Sequence, residues 1–258
     1  MEIDHGRPLD WGKTSADYAE HRPGPPDSYY GRLAELGIGR PGQRILDLGT
    51  GTGVLARRFA AQGATVAGID ISPGQIETAR RLAGRDRVEV DFRVAPAERV
   101  PHPDASFDAI TANQAWLYFD RPRTVAELKR LLAPGGVFMN SGFSWLPRAD
   151  AIARRTEEVV LAHNPQWTTG DWSGEIPERP AWSVNDFRVR AWFFYDEAIP
   201  FTRDTWRGRM RACRAIGASL APDEVARFDR ALAEVLAREA PERFSVLHRI
   251  DAHIVEPL

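Results

Sequence analysis

The sequence predicts an α/β protein on a doubly wound, mostly parallel, seven-stranded sheet with a helical and loop cap, and three observations predict it. Short apolar runs alternate with helix-period segments from residue 44 to 143. The first run empties into a glycine turn, "ILDLGTGTG" (45–53). Beyond Phe143 the alternation breaks, but two further strand-like runs bring the strands to seven. Strand and helix in alternation make parallel neighbours, and such a sheet is covered by helices on both faces.

Each element has its own reason. The first forty residues are polar and rich in Pro and Gly, so they read as an arm with a helix near 27–36. "RILDL" (44–48) is a buried strand, and "GVLARRFAAQG" (53–63) has helical spacing and stops at Gly63. "ATVAGID" (64–70) is the second strand. Ser72 is the N-cap and Pro73 the first residue of a helix ending at Gly84. Strands follow at 87–95 and 106–113, then a helix at 122–136 stopped by Pro134-Gly135-Gly136, then a strand at 136–143. A helix at 149–163, a Gly/Pro-rich loop at 164–186, a strand at 187–201, helices near 203–215 and 222–239, and a strand at 243–256 complete the chain. The expected organisation is an arm (1–40), a core (41–143), a cap (144–240) that includes the strand near 187–201, and a last strand (241–258).

Composition bounds the function. The chain has 258 residues, 43% hydrophobic and 27% charged, with a net charge of −2. That is ordinary for a soluble globular domain and offers no positive field for a nucleic-acid backbone. Lys13 and Lys129 are the only lysines. Cys213 is the single cysteine, so no intrachain disulfide forms, and it reads as a core residue. No apolar run suits a signal peptide or a membrane span. The expectation is a cytoplasmic protein, monomer or homodimer, without membrane or nucleic-acid partners.

The glycine turn follows the first strand, where doubly wound sheets bind ligands. A dinucleotide fingerprint needs G-x-G-x-x-G/A. From Gly49 the last position falls on Val54, too large for close helix approach; from Gly51 it falls on Ala56, but Asp47 precedes the loop. A carboxylate beside a pyrophosphate is unfavourable, which argues against a dehydrogenase. Asp47 suits a ligand with positive charge or hydroxyls. S-adenosylmethionine has an ammonium, a sulfonium and no phosphate, and it fits.

"ILDLGTGTG", "GIDIS" (68–72), "APAERVPHPDASFDAI" (95–110) and "APGG" (133–136) fall in the order of the class I S-adenosylmethionine-dependent methyltransferases. The resemblance covers residues 14–143 well and favours the small-molecule branch of the ubiquinone-biosynthesis and trans-aconitate type. It implies a Rossmann-like fold. It also implies a cofactor site of Asp47, Gly49, Thr50, Gly51, Gly53, Asp70, Ile71, Ala97, Glu98, Asn113 and Gln114. Asp70 stands 23 residues after Asp47 and would hold both ribose hydroxyls, while Asn113 and Gln114 would face the methionine end. Pro96 replaces an acid that many relatives carry.

The implied activity is in-line methyl transfer to a small organic acceptor. A cofactor-binding module or partner subunit without catalysis is the alternative. Leu117 and Tyr118 stand where such relatives often carry a His-aromatic pair. Candidate catalytic residues are therefore His163, at the start of the Trp-rich loop, and Tyr18, in an arm segment resembling one that folds over the cofactor. Arg22 of that arm, with Trp116, Trp145, Trp167, Trp172 and Trp182, are candidates to bind the acceptor. The alternative for these rings is core packing; for His163 it is a helix C-terminal cation. His248 and His253 lie on opposite faces of one strand, so no metal cluster is expected.

Overall fold

In the computed structural model the described residues are 9–14, 17, 20–21 and 24–258. Buried branched aliphatics start the sheet: Ile45, Leu46 and Leu48 make Arg44–Leu48 strand β1. Helix α1 (Asp27–Glu35) precedes it and buries Tyr29, Tyr30 and Leu33. Then follow α2 (Val54–Ala61), β2 (Thr65–Asp70), α3 (Pro73–Asp86), β3 (Asp91–Val94), β4 (Phe107–Asn113), α4 (Arg121–Leu131) and β5 (Leu132–Trp145). After β5 come α5 (Ala151–His163), β6 (Phe187–Thr202), α6 (Arg203–Arg211), α7 (Pro222–Glu239) and β7 (Arg243–Pro257).

Seven strands form one sheet in the order β3-β2-β1-β4-β5-β7-β6. The ladders β1·β2, β1·β4, β2·β3 and β4·β5 are parallel. From β1 the chain winds outward through β2 and β3, then returns to lay β4 on the other side of β1. The order therefore reverses at β1/β4, and the crevice outside the carboxyl ends of these strands is the expected ligand position. Asp47 pairs in register with Gly68 on β2 and Thr111 on β4, one residue from the carboxyl end of β1.

Local chemistry explains most boundaries. Ser72 caps α3, accepting from the Gln75 N–H at 3.5 Å with Pro73 behind it, as expected. The helix passes Gly84 and stops only where Arg87 turns left-handed (φ 57°), so β3 is shorter than the 87–95 run. A second boundary corrects the sequence reading. Pro134-Gly135-Gly136 does not end the helix; α4 ends at Leu131, and the triplet lies inside β5. There the pairing with β4 shifts register between Phe107 and Ala109, and Gly135 takes φ 77°. An irregular stretch of strand absorbs Pro and Gly as readily as a helix stop does.

The chain divides into two compact units, one of residues 24–143, 176–195 and 250–258, the other of 1–23, 144–175 and 196–249. The expected arm and cap segments are thus shared out differently: residues 24–40 and 176–195 group with the core. In the first unit, Leu46, Leu48, Ile69, Ile110, Trp116, Leu128, Phe138 and Phe187 share one apolar core. In the second, Asp150 caps α5 through the Ala153 N–H and also accepts from the Leu247 N–H, both at 2.9 Å. Cys213 is buried there. No helix among the described residues is long and apolar enough to cross a membrane.

Candidate functional site

Three left-handed glycines shape the turn after β1: Gly49 (φ 62°), Gly51 (φ 56°) and Gly53 (φ 76°). Residues with a Cβ rarely adopt this conformation. Space is short as well. A Cβ on Gly49 would lie 2.7 Å from the Ala115 Cβ, and one on Gly53 would lie 2.6 Å from the Phe92 ring. Asp47 anchors the turn from beneath. The Thr50 hydroxyl donates to its Oδ2 at 2.6 Å and the Thr111 hydroxyl to its Oδ1 at 2.7 Å. Asp47 is 3% exposed, and burial pushes its carboxyl up to about 6, against these bonds and with the help of the nearby Asp70 charge. Asp47 thus combines a brace of the loop with a desolvated acid.

Asp70 closes β2 beside the same turn. Its Oδ2 accepts from the Gly51 N–H and its Oδ1 from the Ser72 N–H, both at 2.9 Å. Two backbone bonds fix the carboxylate's plane while leaving each oxygen a further lone pair. Burial raises its pKa, and the backbone bonds oppose that rise. Ile71, next in the chain, is 73% exposed, an apolar side chain standing open beside the acid.

The loops after β3 and β4 complete the arrangement. Ala97 is buried, and Glu98 Oε1 accepts from the Asp120 N–H at 2.7 Å, tying the two loops together. Gln114 takes φ 54°, an uncommon conformation for a residue with a side chain. It is held there by its N–H on the Ser141 carbonyl (2.9 Å) and its amide on the Phe143 carbonyl (2.6 Å). Tyr29 donates to the Ser141 hydroxyl at 2.8 Å, and that hydroxyl donates to the Asn113 Oδ1 at 3.1 Å. The acids, glycines and amides named from the sequence therefore gather at the carboxyl ends of β1, β2 and β4 and the loops beyond.

This arrangement has known counterparts. The family described as "methyltransferase domain" matches residues 46–140. A demethylmenaquinone methyltransferase of Thermus thermophilus is 43% identical over 108 residues, 41% of this chain and 49% of that protein. A ubiquinone biosynthesis O-methyltransferase of Dinoroseobacter shibae is 34% identical over 144 residues, 55% of this chain and 58% of that protein. Residues 46–140 are thus similar to a methyltransferase domain. Among solved structures, a candidate type II methyltransferase from Anaeromyxobacter dehalogenans superposes with TM-score 0.58 at 26% identity, covering 91% of this chain and 96% of that one. The chain spans about half the length of the curated relatives it matches.

The remaining candidates fall into separate groups. Tyr18 and Arg22 lie outside the described residues. Trp116 is 4% exposed and packs on Phe138 and Trp182, with ring centroids 4.9 and 5.2 Å away. Both tryptophans thus pack in the core of the first unit rather than on an open wall. Trp145 and Trp167 meet elsewhere, in the second unit, where both indole N–H groups donate to Glu157. Trp172 is half-buried in the loop that follows. His163 ends α5, its Nδ1 3.0 Å from the Val159 carbonyl and its ring edge-on to Phe228. That ring is engaged with the carbonyl one turn back on its own helix.

Sequence reading missed Glu157. The signal was present: on α5 the buried positions include Ala153, Thr156, Glu157 and Val160, so an acid occupies the apolar stripe.

Proposed function

We propose that this chain is an S-adenosylmethionine-dependent methyltransferase that acts on a small organic molecule. The observation that carries the reading is the pairing of two acids, Asp47 and Asp70, across one glycine turn at the ends of adjacent parallel strands.

The residues fit the cofactor. Gly49 leaves a cradle that a Cβ would fill. Asp70 presents an oriented carboxylate that suits two ribose hydroxyls. Ile71 offers an exposed apolar side chain next to it, suited to the face of a base. Asp47 is a desolvated acid at the turn, and a cation nearby would relieve the strain of its burial. Asn113 and Gln114, held by hydrogen bonds, present polar groups to the methionine end.

When bound, the cofactor supplies a methyl group on a positively charged sulfur, already activated for displacement. The chain's part is then to hold, align and dry the site. Asp70 and the turn fix the cofactor's position, and Glu98 and Gln114 hold the flanking loops. Relatives named for quinone substrates support a flat, hydroxyl-bearing acceptor.

Incubation with methyl-labelled S-adenosylmethionine and either 1,4-naphthohydroquinone or catechol tests this reading. Formation of S-adenosylhomocysteine with label in the probe is the expected result. Tight cofactor binding with no turnover on a wide panel of small acceptors would favour a non-catalytic module instead.

A further inference from the structure

Tyr29 is fully buried on α1, and its hydroxyl starts a relay. It donates to the Ser141 hydroxyl at 2.8 Å, with the Met139 sulfur a weaker acceptor at 3.8 Å. Burial raises the phenol's pKa well above the ordinary tyrosine value, so it keeps its proton and remains a donor. A serine hydroxyl carries one hydrogen. Ser141 directs that hydrogen to the Asn113 Oδ1 at 3.1 Å. An amide that accepts at its oxygen turns its N–H₂ the other way. The relay Tyr29–Ser141–Asn113 therefore fixes where the Asn113 amide sits and also which of its two ends points onward.

All three residues belong to the unit that holds the glycine turn. Asn113 closes β4 two residues after Thr111, about 7 Å along the strand, so the two side chains stand on one face. Thr111 donates to Asp47 Oδ1 at 2.7 Å, so that face is the one that carries the Asp47 carboxylate. The turn also packs on the loop just beyond Asn113: a Cβ on Gly49 would lie 2.7 Å from the Ala115 Cβ. Ser141 is the register partner of Asn113 on β5. Tyr29 and Ser141 are sealed, whereas Asn113 is half-buried. The open end of the relay is thus an amide N–H₂ beside an acid-braced glycine turn.

The amino-acid end of S-adenosylmethionine carries an ammonium and a carboxylate. Asp47 supplies negative charge at the turn, and the amide donors of Asn113 supply its complement. We propose that Tyr29 is a positioning residue for the cofactor's amino-acid end: through Ser141 it turns the Asn113 N–H₂ toward the carboxylate. The inference rests on the reading of the turn as an S-adenosylmethionine site. It gives α1, which precedes residues 46–140, a part in cofactor selection. Without the phenol, the Ser141 oxygen is open to accept from the Asn113 N–H₂. The amide then reverses and presents its oxygen to the carboxylate, so that two acceptors face each other.

The test compares the wild-type chain with Tyr29→Phe, Ser141→Ala and the double variant. Calorimetry gives the dissociation constants of S-adenosylhomocysteine and of 5′-methylthioadenosine, which keeps the nucleoside and the sulfur but has no amino-acid end. A thermal melt gives stability. Tyr29→Phe keeps the ring's packing on Tyr30, with centroids 5.3 Å apart, and should fold. Each single variant should bind S-adenosylhomocysteine about three- to tenfold more weakly, the equivalent of one ordinary hydrogen bond. Each should bind 5′-methylthioadenosine within about twofold of wild type. The double variant should bind no more weakly than the weaker single variant, since both changes break one relay. Equal losses for the two ligands, unchanged S-adenosylhomocysteine affinity in Tyr29→Phe, or additive losses in the double variant would overturn the proposal. Should Tyr29→Phe fail to fold, the two-ligand comparison in Ser141→Ala decides by the same criteria. A wild-type chain that binds neither ligand would count against the S-adenosylmethionine reading itself, and the proposal would fall with it.

Discussion

Replacing Asp70 by Ala removes the carboxylate on which the glycine turn and β2 converge. Two backbone N–H groups, of Gly51 and Ser72, lose acceptors at 2.9 Å. Bonds to a charged group contribute roughly 1.5–3 kcal/mol each where water is excluded. Here water reaches the half-exposed site, and the desolvation that raises the Asp70 pKa is relieved at the same time. The net loss of stability should be about 1–2 kcal/mol, lowering the melting temperature by roughly 2–8 °C for a chain of this size. The effect on the cofactor should be larger. Losing ribose bonds worth about 1.5–3 kcal/mol in net terms weakens S-adenosylmethionine roughly tenfold to 150-fold. Calorimetric titration together with a thermal melt separates the two effects. An unchanged dissociation constant would refute the ribose role, and a melting temperature lower by far more than about 10 °C would make Asp70 a scaffold residue instead.

Other perturbations test the rest of the site. Gly53→Ala places a Cβ 2.6 Å from Phe92 in a left-handed residue, so it should destabilise by roughly 2–4 kcal/mol in denaturant melts; a variant as stable as wild type would contradict the turn geometry. Gly51→Val, at φ 56°, should abolish S-adenosylmethionine binding in calorimetry while circular dichroism stays near native; native affinity would show that the turn stays clear of the ligand. Asp47 has a folded pKa of about 6, above its unfolded value near 3.9, so the folded form binds its proton more tightly. Its contribution to stability is full below about pH 4 and is lost as pH rises to about 6, and Asp47→Asn should flatten that part of the profile. Cofactor affinity should run the other way, falling up to about tenfold from pH 7 to pH 5 as Asp47 loses its charge; a flat affinity profile would remove the acid from cation recognition.

The parts of this molecule that depend on short-range rules were readable in advance. Ser72-Pro73 started a helix because a hydroxyl cap and a fixed φ act within one turn. Asp47, Asp70 and the three glycines meet at one turn because positive φ and strand-end acids are both local features of the chain. Pro134-Gly135-Gly136 misled because the same residues serve a helix stop or an irregular strand, and only the pairing with β4 decides between them. Trp116 and Trp167 illustrate a different limit. Both are aromatic residues in loops, yet Trp116 packs on Phe138 while Trp167 donates to an acid ten residues earlier. Sequence spacing carries no information about which ring meets which partner. Glu157 was visible as an acid on an apolar stripe, but its two indole partners come from a strand end and a loop.

The central claim is that the turn between Asp47 and Asp70 is built for S-adenosylmethionine and not for a dinucleotide. Side-by-side calorimetric titrations of the wild-type chain with S-adenosylmethionine and with NAD test it most directly. The account predicts saturable one-to-one binding of S-adenosylmethionine, lost in Asp70→Ala, and no measurable heat with NAD. Binding of NAD with equal or greater affinity, or S-adenosylmethionine binding that survives Asp70→Ala unchanged, would contradict it.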